Sequence, residues 1–299
     1  MIVQKNAWAC LIFSIWGCQP HFEERASIIT EPRILAVRAD PPESARGDDV
    51  TYEALVAAPE GKITNERMHW AFCAAPKPPT ENNSVTAACL GDAVRVIDGH
   101  EYVITAATPM DACQLFGPDT PPGDFRPRDA DDTGGYYQPL RLQVSGQTAF
   151  AFERITCNLA NAPLDIAVEF TKQYLPNKNP QLLPLRAKID GESKELDALP
   201  TGRDVLFEVG WKTEAAETYV VFDRKTQTLV HRREAIRAFW YATRGTFIND
   251  VTGRAENDEE LTATNVWRAP DEPTEILLWI VLRDSRGGMD FREYTISTK

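Results

Sequence analysis

Proline and glycine cut this chain into short pieces, and that punctuation limits its fold more than any other feature. The 299 residues carry 21 prolines and 17 glycines. Between them lie short runs of β-branched, aromatic and alternating character. Arg33–Ala39 reads as a strand stopped by Asp40-Pro41-Pro42. Val50–Val56, Met68–Cys73, Glu101–Ala106, Gln138–Val144 and Ala149–Ile155 follow in the same style. Glu275–Leu282 holds seven apolar residues in a row after Glu275, which suits a buried strand. Many short strands with turn residues between them indicate a mainly β chain built from sandwiches.

Two places break the rhythm. Asp111–Tyr137 is rich in Pro and Gly, and a loop of that length inside a compact domain is usually functional or mobile, so it is the expected contact surface. Asn161-Ala162-Pro163 looks like a helix start with Pro in the first turn, and Leu164, Ala167 and Val168 give a short apolar face. Ile166, Val168 and Phe170 also alternate, so a strand competes with the helix there. Pro176–Pro180 ends the element either way. This segment is expected to be the joint between two domains. The halves share a pattern: Arg46-Gly47-Asp48-Asp49-Val50-Thr51-Tyr52-Glu53-Ala54 aligns with Thr201-Gly202-Arg203-Asp204-Val205-Leu206-Phe207-Glu208-Val209. The expected division is a signal at 1–17, an anchor and tether at 18–32, a disulfide-containing sandwich at 33–177 with its long loop at 111–137, and a second sandwich at 178–299.

The first 18 residues read as an address. Lys5 is their only charge, and Ala7–Trp16 is apolar except for Ser14, as in a secretory signal. The run is far short of the ~20 residues a spanning helix needs. Its end, Ile15-Trp16-Gly17-Cys18, resembles the lipobox of bacterial lipoproteins, apart from the bulky Trp16. The resemblance implies cleavage before Cys18 and acylation of that cysteine, and two or more acyl chains hold a protein stably on a membrane. It also implies, because residue 19 is Gln and not Asp, an outer-membrane location facing the periplasm or the cell surface. An ordinary signal peptide cut nearby is the competing reading.

The body keeps Cys73, Cys89, Cys113 and Cys157. An even number in an exported chain suggests two disulfides. Three pairings are possible, of which Cys73–Cys89 with Cys113–Cys157 is the simplest. Closing the shorter loop is worth about 3 kcal/mol on a chain-entropy estimate. Zinc needs close Cys pairs or nearby histidines; no such pair exists, and His69 alone lies near a cysteine.

The last hundred residues carry a second resemblance. Ala238–Phe247 holds Phe239-Trp240-Tyr241 before a Gly245 turn. Trp267-Arg268-Ala269-Pro270 follows, and then Asp284-Ser285-Arg286-Gly287-Gly288 between two strands. This is similar to the Ig-like and PKD-like sandwich modules of bacterial surface proteins, over about residues 181–299. In the first half only Trp70-x-x-Cys73 and the strand rhythm are shared. The resemblance implies two tandem Ig-like sandwiches, with a short helix near their junction. It says little about activity, because the architecture hosts many.

Asp plus Glu outnumber Lys plus Arg by 44 to 32, a net charge of −12. That balance argues against a nucleic-acid binder and against docking on anionic lipid through a basic surface. The four histidines, His21, His69, His100 and His231, show no metal spacing, and neither a nucleophile elbow nor a P-loop is present. Asp129, Asp131 and Gly134 match the start of a calcium loop, but Leu140 stands where the closing Glu belongs, so an acidic turn is the simpler reading. Tyr136, Tyr137 and Phe125 could form a sugar platform, although neighbours in a strand face opposite ways. The expectation is a non-catalytic envelope lipoprotein with no cofactor and no metal. Lipid on Cys18 ties it to the membrane, and its sandwiches serve an envelope protein or glycan partner or a structural role. The alternative is a carbohydrate-active module, binding or hydrolytic, with calcium as a possible stabiliser.

Overall fold

A computed structural model describes residues 25–78, 80–118, 135–159 and 162–299. The signal, Cys18, His21, Phe125, Asp129 and Asp131 lie outside the described residues. The first half contains β1 (Arg33–Asp40), β2 (Glu43–Ser44), β3 (Asp49–Ala58), β4 (Gly61–Lys62), β5 (His69–Cys73), β6 (Val94–Val96), β7 (Val103–Ala107), β8 (Gly135–Val144) and β9 (Gln147–Thr156). Helix α1 (Ala112–Leu115) precedes β8, and α2 (Leu164–Gln173) follows β9. The second half contains β10 (Arg186–Ile189), β11 (Glu192–Lys194), β12 (Asp204–Gly210), β13 (Thr218–Asp223), β14 (Thr228–Arg233), β15 (Ile236–Ala242), β16 (Thr246–Phe247), β17 (Val251–Arg254), β18 (Thr262–Arg268), β19 (Glu275–Asp284) and β20 (Met289–Ser297). The chain is mainly β, with a short helix between the halves.

Each half is a sandwich. In the first, β1, β3, β4 and β7 face the sheet β2-β9-β8-β5-β6. Period-2 side chains fill the space between them: Val50, Tyr52, Ala54 and Val56 from β3 meet Trp70, Phe72, Leu140 and Leu142. In the second, β17-β15-β19-β20 faces β11-β10-β12-β18-β16. Val205, Phe207 and Val209 pack there against Trp240, Trp267, Leu278 and Ile280. The hairpin β13-β14 stands apart from both sheets. The aligned segments play the same part in each half. Gly47 and Gly202 both take positive φ, at 85° and 60°, just before the strand. Tyr52 and Phe207, matched in the alignment, are both fully buried.

The two sandwiches are stacked face to face. Leu35, Ala36, Leu55 and Ala57 on the outer face of the β1–β3 sheet meet Trp279 and Val281, with Phe239, Tyr241, Leu277 and Phe291 around them. The order is therefore sheet, core, sheet, apolar seam, sheet, core, sheet. This explains why Glu275–Leu282 is apolar throughout: Ile276, Leu278, Ile280 and Leu282 enter the second core, while Leu277, Trp279 and Val281 enter the seam. Trp279 therefore belongs to the seam rather than to the second core. Each large side chain buried there contributes roughly 1.5–3 kcal/mol.

Three local expectations are resolved. Residues 164–173 are helical, with Asp165 in the first turn and Lys172 in the last, the arrangement the helix dipole favours. The disulfides are Cys73–Cys89 and Cys113–Cys157, with Cα atoms 5.3 and 5.9 Å apart. The expected tether is not free over its described part. Ile29 N donates to Ala242 O and Ala242 N to Ser27 O, both at 2.9 Å, and Arg25 reaches Phe247 O at 2.6 Å. Ser27 and Ile29 are buried, because the end of β15 offers them an open edge and an apolar floor. Among the described residues no helix is long and apolar enough to cross a membrane.

Candidate functional site: the joint between the sandwiches

The turn between β19 and β20 brings a charged group into the interior. Asp284 is the last residue of β19, and its Oδ1 accepts from Arg286 N at 2.9 Å and Gly288 N at 2.8 Å. Gly287 takes φ 102° to close the turn. Gly288 leaves room for the carboxylate, since a Cβ there would stand 2.2 Å from Asp284 Oδ2. The Asp-x-x-Gly-Gly pattern is thus a device for turning Arg286 inward.

The Arg286 side chain is 1% exposed and its nitrogens are all engaged. Nε donates to Glu234 at 2.6 Å, Nη2 to Glu217 at 2.5 Å, and Nη1 to Leu175 O at 2.7 Å and the Tyr174 hydroxyl at 3.3 Å. Its guanidinium also lies over the Tyr219 ring, 4.4 Å from the centroid. The first half supplies the opposing pair. Arg154 on β9 is 3.3 Å from Glu43 on β2 and donates to Tyr174 and Tyr137. Glu43 accepts from the Tyr174 hydroxyl at 2.8 Å and from Asn177 N at 2.9 Å. Tyr174, just past α2, therefore links the two arginines and stacks on Phe170 at 4.8 Å. A Cβ on Gly135 would fall 2.0 Å from Arg154 Cζ, so the start of β8 also needs glycine for close approach.

Burial sets the protonation of this cluster. Asp284 is pushed up to about 8 by desolvation, with help from nearby Glu234. Glu234 and Glu217 are also raised by burial, although Arg286 opposes the rise in both. Burial works against the charge on Arg286, but Glu234 and Tyr174 outweigh it, so the guanidinium stays charged. A second buried acid, Glu153, accepts from Tyr52, Ser44 and Thr108 inside the first sandwich and is raised by desolvation. Both groups hold elements together, and at the joint Asp284 Oδ2 and Asn177 Oδ1 are left without a hydrogen-bond partner among the described residues.

The residues singled out in the sequence are dispersed. His69 and His100 meet edge to face at 5.4 Å near the end of the first sandwich. His231 lies on the exposed strand β14, far along the chain from both. Tyr136 is buried against Ala112 and Ile155, while Tyr137 turns to Arg154, so the pair forms no platform. Arg46-Gly47-Asp48 is a turn, in which Asp48 Oδ2 accepts from Ala45 N at 2.9 Å. The acidic loop Glu256–Glu260 is gripped through Asp258 O by Arg254 and Arg233. Sequence reasoning missed Glu43, Arg154, Glu217, Glu234 and Arg286. The one local signal was Asp-x-x-Gly-Gly, which was read only as a turn.

No protein-family model matches the chain, and no curated protein matches it. Solved structures are similar at low level. The D00-D0 domain of intimin gives a TM-score of 0.26 at 8% identity, covering 88% of this chain and 100% of that one. The Yersinia pseudotuberculosis adhesin InvE gives 0.26 at 9%, covering 88% and 58%. Domains 4 and 5 of the S-layer protein SbsC give 0.21 at 8%, covering 89% and 98%. Superpositions this loose carry nothing further about this chain.

Proposed function

We propose that the chain is a non-catalytic envelope lipoprotein. Acyl chains on Cys18 hold it on the outer membrane, and its two stacked sandwiches form one rigid body that presents binding surfaces to an envelope partner. The observation that supports this reading best is the joint. Arg286, Glu234, Arg154 and Glu43 are turned inward and bonded within the joint, which ties the two halves together. The two disulfides in the first sandwich suit an oxidising compartment.

The anchor is tested by phase partition of the full-length protein made in its native host. Wild type should enter the detergent phase, and Cys18→Ser should move it to the aqueous phase. A wild-type protein already in the aqueous phase defeats the lipoprotein reading.

A further inference from the structure

A groove of about 570 Å³ lies between α2 and the end of β9, a volume that suits a small ligand. α2 lines it with Leu164, Ala167, Phe170 and Thr171, whose spacing of three and four puts them on one face of the helix. The Cys113–Cys157 disulfide and Leu159 form the other wall. The mouth is apolar as well. Leu164 is 81% exposed, the highest value of any large apolar side chain among the described residues.

Most polar groups of the lining are already engaged within the protein. Thr156 Oγ1 donates to Glu43 at 3.2 Å, Thr171 Oγ1 to Ala167 O at 3.0 Å, and the Tyr174 hydroxyl to Glu43 at 2.8 Å. The main chain of α2 is engaged in its own helical ladder. Among the described residues, only Arg46 and Asn158 bring to the groove polar side-chain groups that have no hydrogen bond or ion pair. Arg46 is the one charge in the lining. β2 runs parallel to β9 with Ser44 opposite Ile155, so Arg46, two residues on, stands level with Cys157 at the rim.

An apolar trough with one uncompensated cation is complementary to an alkyl chain that ends in one negative charge. A polypeptide would need main-chain partners that the α2 wall does not offer, whereas an alkyl chain needs none. The head carries a single charge for two reasons. Arg46 is one cation, and Asp48 and Asp49 follow it closely in the chain, so they repel a more highly charged group. The planar guanidinium meets a carboxylate through two parallel hydrogen bonds.

We propose that the groove beside α2 binds a fatty acid, with its alkyl chain along Leu164, Ala167 and Phe170 and its carboxylate on the Arg46 guanidinium. The assignment goes beyond the partner-binding reading and does not depend on it. Apolar burial supplies the affinity, and Arg46 selects the head group.

The test is calorimetric titration of the full chain carrying Cys18→Ser, in buffer without detergent, with octanoate, decanoate and dodecanoate below their micelle concentrations. Affinity should rise about two- to fourfold with each methylene, the upper figure holding for complete burial. Dodecanol should bind about fivefold more weakly than dodecanoate, and dodecyltrimethylammonium should not bind. Two variants locate the site, and both change exposed side chains, so the thermal midpoint should hold. Arg46→Ala should bring dodecanoate down to the level of dodecanol and leave dodecanol unchanged. Thr171→Trp fills the groove and should abolish binding of both. Affinity that ignores chain length, equal binding of the ammonium, or wild-type affinity in both folded variants overturns the proposal. Dodecyl phosphate binding more tightly than dodecanoate overturns it in favour of a phospholipid. A chain that binds none of these ligands also overturns it. If such a chain gains dodecanoate binding when residues 119–134 are replaced by a Gly-Ser linker, that segment is the occupant instead.

Discussion

Replacing Arg286 with Ala removes the one cation that Glu234 and Glu217 share. Glu234 is fully buried and its contact to Arg286 Nε is 2.6 Å, so it loses the cation bonded to its carboxylate and keeps only the weaker pull of Arg154 and Arg254. Breaking a buried pair by removing one partner costs about 3–5 kcal/mol. Three further hydrogen bonds go with it, to Glu217, Leu175 O and Tyr174. Part of the loss returns because the raised carboxyls can take up protons. We therefore expect about 3–4 kcal/mol, the lower part of that range. Urea unfolding followed by tryptophan fluorescence reads it directly, since Trp279 sits in the adjoining seam. Arg286→Lys keeps the charge but loses the fork, and should fall between Ala and wild type. Combining Arg286→Met with Glu234→Gln should recover part of the loss, because it removes the orphaned charge. A loss under about 1 kcal/mol for Arg286→Ala would refute the claim that this cluster fixes the halves together.

The pH dependence has a defined sign. Asp284 rises from an unfolded value near 4 to about 8, so between those values only the folded form holds the proton. Its contribution is complete at low pH and is lost as pH climbs toward 8. Wild type should lose stability across that window relative to Asp284→Asn, and equal slopes in urea melts at pH 5, 6.5 and 8 would contradict the burial argument. Mass spectrometry of non-reduced peptides should link Cys73 to Cys89 and Cys113 to Cys157, and reductant should lower the stability of the chain by about the few kcal/mol expected of disulfides. Free thiols in exported protein would overturn this. We propose a boundary near Lys178, and residues 178–299 alone should keep their core around Trp211, Trp240 and Trp267. They should also expose Phe239, Leu277, Trp279 and Val281, so the piece should self-associate, and replacing Trp279 and Val281 with polar residues should make it monomeric. A piece that is monomeric without those changes would show that the seam adds little.

Strands were legible because their signal is local. Val50, Tyr52 and Ala54 alternate with Thr51 and Glu53, and Pro and Gly mark the stops, so the reading needs no knowledge of partners. The cysteine pairing was legible because neighbours in sequence paired. The helix at 164–173 was balanced against a strand, and its packing beside the β13–β14 hairpin supplies the tertiary context that the local pattern lacks. The seam was half legible: an apolar run on both faces of β19 says that both are covered, but not by which sheet. The joint was legible only as the Asp-x-x-Gly-Gly turn, not as a charged cluster. Arg286 and Glu234 are 52 positions apart, and isolated charges near strand ends look like any solvated surface residue.

The docking of Ser27 and Ile29 sets a geometric limit on the whole molecule. Nine peptide steps separate Cys18 from Ser27, about 30 Å of chain when fully stretched. A body acylated at Cys18 would therefore be moored rather than suspended. Its point of attachment would be the end of the second sandwich, at Ala242 and Phe247, and not the first sandwich that follows the leader in sequence. That mooring point also has an order in time. Ala242 is synthesised long after Ile29, so the line would stay long until β15 has folded and shorten only then.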